Sequence, residues 1–250
     1  MKNKNTMLAA MITFACFLTF TKATAQTSET SAPSTESPFK VTADLVSSYV
    51  WRGSLATPSP TPNFQPTLAY VKGGFELGVW GSTDFQGSYK EADLYASYTA
   101  GALKFTLTDY DWNFKNSLTG EPIRYFNYKS KETGHIFEGS VGYTGPESFP
   151  LSVSANVMFA GADKKLSDAT KQAFSTYVEL GYTFSKFNAF LGCTPDAGMY
   201  SYASGFAVVN LGISATRNLK ISDKFELPLK TTFVVNPQKE DVHLVFGITF

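Results

Sequence analysis

Residues 39–53 read FKVTADLVSSYVWRG, and the alternation within this stretch decides the fold. Odd positions hold Phe39, Val41, Ala43, Leu45, Ser47, Tyr49 and Trp51; even positions hold Lys40, Thr42, Asp44, Val46, Ser48, Val50 and Arg52. In a strand the two sets lie on opposite faces. One face is therefore apolar with aromatic rings at both ends, and the other carries most of the polar groups. At about 3.3 Å per residue, the run from Phe39 to Trp51 spans roughly 40 Å. Tilted by about 40°, it rises about 30 Å, close to the height of a membrane's apolar band with its two girdles.

The same period recurs along the chain. Ala92, Leu94, Ala96 and Tyr98 oppose Glu91, Asp93, Tyr95 and Ser97, and Leu151, Val153, Ala155, Val157 and Phe159 oppose Ser152, Ser154 and Asn156. Thr176, Val178, Leu180, Tyr182 and Phe184 oppose Ser175, Tyr177 and Glu179. Ala207, Val209, Leu211, Ile213 and Ala215 form one expected face, and Phe225, Leu227, Leu229, Phe233 and Val235 another. The chain ends on Val242, Leu244, Phe246, Ile248 and Phe250, again at alternate positions. A β-sandwich also alternates, with one face in a core and one in water. Long strands, aromatics at strand ends and alternating short and long links favour an all-β, antiparallel transmembrane barrel instead.

The links set the topology. Short ones are 72–74, 100–102, 145–149, 185–187 and 218–223; longer polar ones are 52–63, 84–90, 113–133, 161–173 and 195–205, with a shorter 236–240. Short periplasmic turns and longer extracellular loops give about twelve strands, with both termini on the periplasmic side. Residues 123–130, IRYFNYKS, are expected as strand extension inside the third loop, with a fourteen-strand barrel as the alternative. Pro228 lies inside an otherwise regular strand, where a missing amide donor predicts a bulge or a broken ladder bond.

The amino-terminal 25 residues have a basic start (Lys2, Lys4), an apolar run and the small-residue pattern Ala23-Thr24-Ala25. They read as a secretory signal peptide. Residues 26–38, QTSETSAPSTESP, read as a disordered leader, leaving 39–250 as one domain. Loss of Lys2, Lys4 and Lys22 leaves 18 basic against 21 acidic side chains, a net charge of −3. Such a chain has no broad electrostatic reason to bind nucleic acid. Cleavage of the signal peptide would also remove Cys16, and the remaining Cys193 is read as apolar filler.

Two segments, DLVSSYVWRG (44–53) and GFELGVWGSTDF (74–85), resemble the amino-terminal signature of the TorF-type porins of Gram-negative outer membranes. Residues 126–163 and YVELGYTF (177–184) are similar to the same family, so the likeness covers most of 40–250. The terminal Phe250 behind Leu244, Phe246 and Ile248 resembles the carboxy-terminal signal read by the barrel-assembly machinery. The resemblance implies an outer-membrane location, lipid neighbours and a porin-like exchange of small solutes.

Parity places Asp44, Glu76, Glu91, Asp93, Glu138, Glu179, Glu226 and Asp241 in the interior, against Lys40, Arg52, Lys104 and Lys230. A wet lumen accepts such groups and lipid does not. The expected pore lining is Asp44, Arg52, Glu91, Asp93, Glu138, Glu179, Glu226 and Lys230, with Arg52 near the outer rim. Its acidic excess predicts passage of cationic or neutral solutes. The expected interfacial aromatics are Phe39, Tyr49, Trp51, Tyr98 and Phe250, with Tyr49 and Trp51 at the outer interface. An ion-paired, plugged barrel with a structural or adhesive role is the alternative, and Tyr200 and Tyr202 are the loop residues that would touch a ligand or pack over the mouth. Lipid hydrolysis would centre on His135, which shares parity with Phe137, but no serine motif accompanies it. His243 is isolated on the lumen face, and neither histidine joins a ligand cluster; no catalytic residue, cofactor or metal is expected.

Overall fold

The computed structural model describes residues 37–112, 124–129, 132–201 and 205–250. The expected signal peptide, and the expected leader apart from its last two residues, lie outside them. In chain order the strands are β1 (Phe39–Val46), β2 (Val50–Trp51), β3 (Ser54–Leu55), β4 (Asn63–Lys72), β5 (Phe75–Asp84), β6 (Lys90–Ala100), β7 (Leu103–Tyr110) and β8 (Ile136–Thr144). They continue as β9 (Leu151–Gly161), β10 (Lys164–Lys165), β11 (Asp168–Gln172), β12 (Thr176–Thr183), β13 (Asn188–Thr194), β14 (Ala207–Ser222), β15 (Phe225–Asn236) and β16 (Asp241–Thr249). Twelve of them close into an antiparallel barrel in the order β1-β16-β15-β14-β13-β12-β9-β8-β7-β6-β5-β4, while β2–β3 and β10–β11 are separate hairpins.

Closure removes the unpaired edge that would otherwise recruit another strand. The seam between first and last strands is short: Asp44, Leu45 and Val46 pair with Thr249, Ile248 and Gly247. Below it Ala43 and Phe250 exchange both backbone hydrogen bonds, at 3.3 and 2.9 Å. Above it the Ser47 amide donates to the Phe246 carbonyl at 2.8 Å, and the Ser47 hydroxyl accepts from the Phe246 amide at 3.0 Å. Both ends of the barrel chain thus lie on the side of the short turns.

The alternation sorts the side chains as a membrane wall requires. Along β6, Glu91, Asp93, Tyr95 and Ser97 are buried and Tyr98 is exposed. Every one of the twelve wall strands carries at least one large exposed hydrophobic residue, among them Leu68, Val79, Leu180, Leu211, Ile213 and Leu244. A water-soluble sandwich would hide these residues between its sheets. A closed ring with an apolar outside and a polar inside is the arrangement of a transmembrane β-barrel.

The strand count is the expected twelve and not the alternative fourteen, but five other expectations change. Residues 124–129 carry a turn at Tyr125–Phe126 in place of strand extension; the rest of 123–130 lies outside the described residues. Residues 218–222 are not a link but the end of the 16-residue β14, with the turn at Asp223–Lys224. Pro228 keeps its register opposite Asn218 without a bulge. Pairing of β15 with β16 begins only at Leu229, so that flank of the proline has no ladder bond to lose. A bulge does occur where Gly192 faces Asn210 and Cys193 faces Val208. The extra residue, Val209, is fully buried with Ala207, so both leave the apolar outer face on which simple alternation puts them. Finally, β1 stops at Val46, and the next residues turn inward.

Candidate functional site: a hairpin latched across the lumen

Past Ser47 the chain enters the barrel as the β2–β3 hairpin, with Val50 opposite Leu55 and Trp51 opposite Ser54. Its two turn residues, Arg52 and Gly53, have φ values of 47° and 82°. Positive φ at both positions matches the right-handed twist of the flanking strands. For arginine it costs about 1–3 kcal/mol, which only strong contacts at the tip can offset. Gly53 is required twice over, because a Cβ there would meet the Val209 carbonyl oxygen on β14 at 1.9 Å. Asn236 on β15 donates from Nδ2 to the Gly53 carbonyl at 3.1 Å and to the Ser54 hydroxyl at 3.3 Å.

The contacts that hold Arg52 lie on the far wall. Its Nη1 and Nη2 donate to the two oxygens of Glu138 on β8 at 2.5 and 2.8 Å. Counted around the ring, β8 is five strands from β1 one way and seven the other, so the hairpin crosses the lumen. The pair is buried, with side-chain exposures of 8% and 1%. Tyr110 donates to Glu138 at 3.1 Å, Tyr200 at 3.2 Å and Ser140 at 3.2 Å. Arg52 also donates to the Tyr200 hydroxyl. The guanidinium carbon lies 4.5, 4.8 and 5.3 Å from the ring centres of Trp51, Tyr177 and Tyr200. A desolvated arginine is tolerable only with this combination of bidentate carboxylate and aromatic faces.

Around the latch the loop-side half of the barrel is filled. Trp51 meets Tyr110, Trp112 and Tyr200, each 5.6 Å between ring centres, and Tyr49 packs on Trp80 and Tyr89 at 5.6 and 6.0 Å. Ile136, Met158 and Val209 complete this buried cluster. A cavity of about 260 Å³ lies at the hairpin's outgoing end, lined by Ala56, Thr57, Pro58, Ser88, Tyr89, Lys90 and Trp112.

Toward the short turns the interior changes character. Tyr177 donates to Glu179, and Asn210 donates to the Tyr177 hydroxyl at 2.8 Å and to Glu179 at 3.1 Å. Lys230 lies in the field of Asp44 and Glu179. Lys104 meets Glu76 at 3.4 Å, their side chains 23% and 29% exposed, and Tyr95 donates to the same carboxylate at 2.8 Å. These charged groups keep more contact with solvent than the latch does, and the space they line is a partly solvated vestibule.

His135 forms a separate cluster at the loop-side rim. It stacks toward Phe137, on the outer side of the wall as parity suggests, but Tyr125 and Tyr128 cover it and it is fully buried. Its Nδ1 faces Asp109 at 2.5 Å and its Nε2 faces the Tyr125 carbonyl. Both neighbours are acceptors, so both ring nitrogens must carry protons. Burial works against that charge, but the hydrogen bonds to Asp109 and Tyr125 outweigh it and raise the His135 pKa above its ordinary value. With both nitrogens engaged, the ring holds residues 124–129 against the wall.

The structure therefore divides the residues expected to line a pore. Asp44, Glu179 and Lys230 face the vestibule. Glu226 is exposed at its turn-side rim, bonded by Asn218 at 3.2 Å. Glu91 and Asp93 are buried in the filled half, where Tyr89 donates to Glu91 at 2.7 Å and the Asp111 amide to Asp93 at 3.2 Å. Arg52 and Glu138 form the latch. Phe39, Tyr98 and Phe250 are exposed at the turn-side end. Tyr49 and Trp51 are not girdle residues: β1 ends before them, and their rings pack inside. Tyr110 and Tyr177 were missed as partners of Arg52, although tyrosines on the polar face of a strand are the signal for them. Tyr200 packs over the mouth from inside, while Tyr202 lies outside the described residues. Comparisons with known protein families, with curated proteins and with solved structures return no match to this chain.

Proposed function

We propose that this chain is an outer-membrane, porin-like channel for small cationic or neutral solutes, in a conformation closed by its own first loop. The carrying observation is the asymmetry of the lumen: the turn-side half is lined by partly exposed charged groups, whereas the loop-side half is sealed by one hairpin. A barrel filled only for strength has no need of a wet lower half. The hairpin belongs to no wall strand, so its withdrawal leaves the ladder intact. Carboxylates at Asp44, Glu76, Glu91, Asp93, Glu138, Glu179 and Glu226 outnumber the cations facing them, which favours cations in transit. The resemblance to TorF-type porins, export through a signal peptide and assembly through the terminal Phe250 belong to the same proposal.

The buried Arg52–Glu138 pair favours a second reading, a permanently plugged structural barrel. Planar-bilayer recording separates the two. Glu138→Gln removes the latch charge without touching the ladder, and stepwise, cation-preferring conductance above that of the wild type is expected. Folded but silent Glu138→Gln protein would leave the structural reading in place.

A further inference from the structure

The groups that bind the Arg52 guanidinium are almost all independent of the hairpin that delivers it. Glu138 and Ser140 belong to β8, Tyr110 to β7, Tyr177 to β12, and Tyr200 to the 195–206 loop; Trp51 alone travels with the arginine. Withdrawal of the hairpin therefore leaves a formed receptor. Its floor is a carboxylate oriented by the Tyr110, Ser140 and Tyr200 hydroxyls, and its walls are the faces of Tyr177 and Tyr200.

We propose that this receptor is a binding site for small guanidinium solutes, and that Arg52 is its resident, intramolecular occupant. The inference rests on the channel reading and names the solute class the constriction would select. Three features match a guanidinium better than an ammonium ion. The two Glu138 oxygens accept from two different nitrogens, at 2.5 and 2.8 Å, a parallel pairing that a planar fork makes and a point charge does not. Two wall tyrosines present their rings at 4.8 and 5.3 Å, the stacking geometry of a weakly hydrated planar cation. The site is almost fully desolvated, which penalises the more strongly hydrated ammonium. Competition between solute and Arg52 would also couple occupancy to opening, because a bound solute excludes the hairpin tip from the Glu138 carboxylate.

The test is chemical rescue in micelles, using ethylguanidinium as the probe and ethylammonium as its control. Arg52→Ala empties the site, and heat-modified gel migration reports that the barrel has closed. Low-millimolar ethylguanidinium is expected to raise the melting temperature of Arg52→Ala and slow hydrogen exchange around Tyr177 and Tyr200, with ethylammonium weaker by about tenfold or more. Neither should act on Arg52→Ala/Glu138→Gln. If Arg52→Ala does not fold, the wild type serves: ethylguanidinium should speed exchange across residues 49–56, and ethylammonium should not. No response to ethylguanidinium, an equal response to ethylammonium, or a response that survives Glu138→Gln overturns the site. A silent bilayer with successful rescue overturns the channel reading alone, and conductance without rescue overturns the site alone.

Discussion

The Arg52 guanidinium and the Glu138 carboxylate, 86 residues apart in sequence, meet through two hydrogen bonds on the opposite side of the barrel from the strand that leads to Arg52. This pair anchors the tip of a hairpin that the packing of Tyr49 and Trp51 also holds inside the barrel. The Ala56 amide bonds the Tyr49 carbonyl at 2.9 Å at its base, and Asn236 steadies its tip.

Removal of either partner should release the hairpin and spare the wall. A buried charge left unpaired costs about 3–5 kcal/mol, more than the tip's remaining hydrogen bonds return. For Arg52→Ala and Glu138→Gln the expected results are unchanged β-sheet circular dichroism, faster exchange at residues 49–56 and a red-shifted tryptophan emission as Trp51 meets water. Exchange at 49–56 equal to the wild type in both variants would show that the aromatic packing holds the hairpin unaided.

Gly53→Ala should produce the same release by a steric route. The added methyl would lie 1.9 Å from the Val209 carbonyl, on a backbone with φ of 82° that alanine rarely adopts. The expectation is greater proteolysis within residues 49–56 with the barrel still heat-modifiable. Full protection would mean that the tip does not seat against β14.

A pH-dependent clasp is expected at His135. Its folded pKa lies above the unfolded value of about 6.5, so its contribution is complete below that pH and fades as pH rises through the folded value. The negatively charged or polar neighbours are Asp109, Asp111, Tyr125 and Tyr128. Protection from exchange at 124–129, taken relative to the intrinsic rate at each pH, should therefore fall on moving from mildly acidic to alkaline buffer, and His135→Gln should abolish that fall. NMR titration of the imidazole reads the pKa directly, and a value below 6.5 would contradict the double donor assignment.

The wall was legible because period two is imposed by the strand itself, and lipid on one side and polar groups on the other leave a clean record of it. Glu91 against Leu94, or Thr232 against Phe233, needs no tertiary knowledge. Tyr49 and Trp51 were not legible in the same way. Their parity continues that of Leu45, yet Ser47 and Ser48 end the strand, and an aromatic ring suits a desolvated plug as well as a membrane interface. Val209 escaped notice because Ala207-Val208-Val209 is apolar on both faces, so a one-residue bulge leaves no trace in composition. The latch joins a loop to a wall position far along the chain, and no local pattern carries that pairing.

The outer face should resist charge as hydrocarbon-facing positions do. Leu244→Arg, at a 55% exposed position on β16, should lower stability in bilayers by up to about 2–4 kcal/mol, depending on depth. Thr232→Arg, on the lumen face of β15, should cost less. Denaturant titration in vesicles compares them, and an equal or reversed order would contradict the assigned faces.

The central claim is that one face of each wall strand meets lipid and the other meets an enclosed interior. Spin labels on cysteines placed singly from Ala92 to Ser97 of β6, in a Cys193→Ser background in vesicles, test it directly by their collision rates with oxygen and with a water-soluble nickel complex. High oxygen access is predicted at 92, 94 and 96, with low oxygen access at 93, 95 and 97. Equal oxygen access at odd and even positions, or nickel access at 92, 94 and 96, would contradict the account.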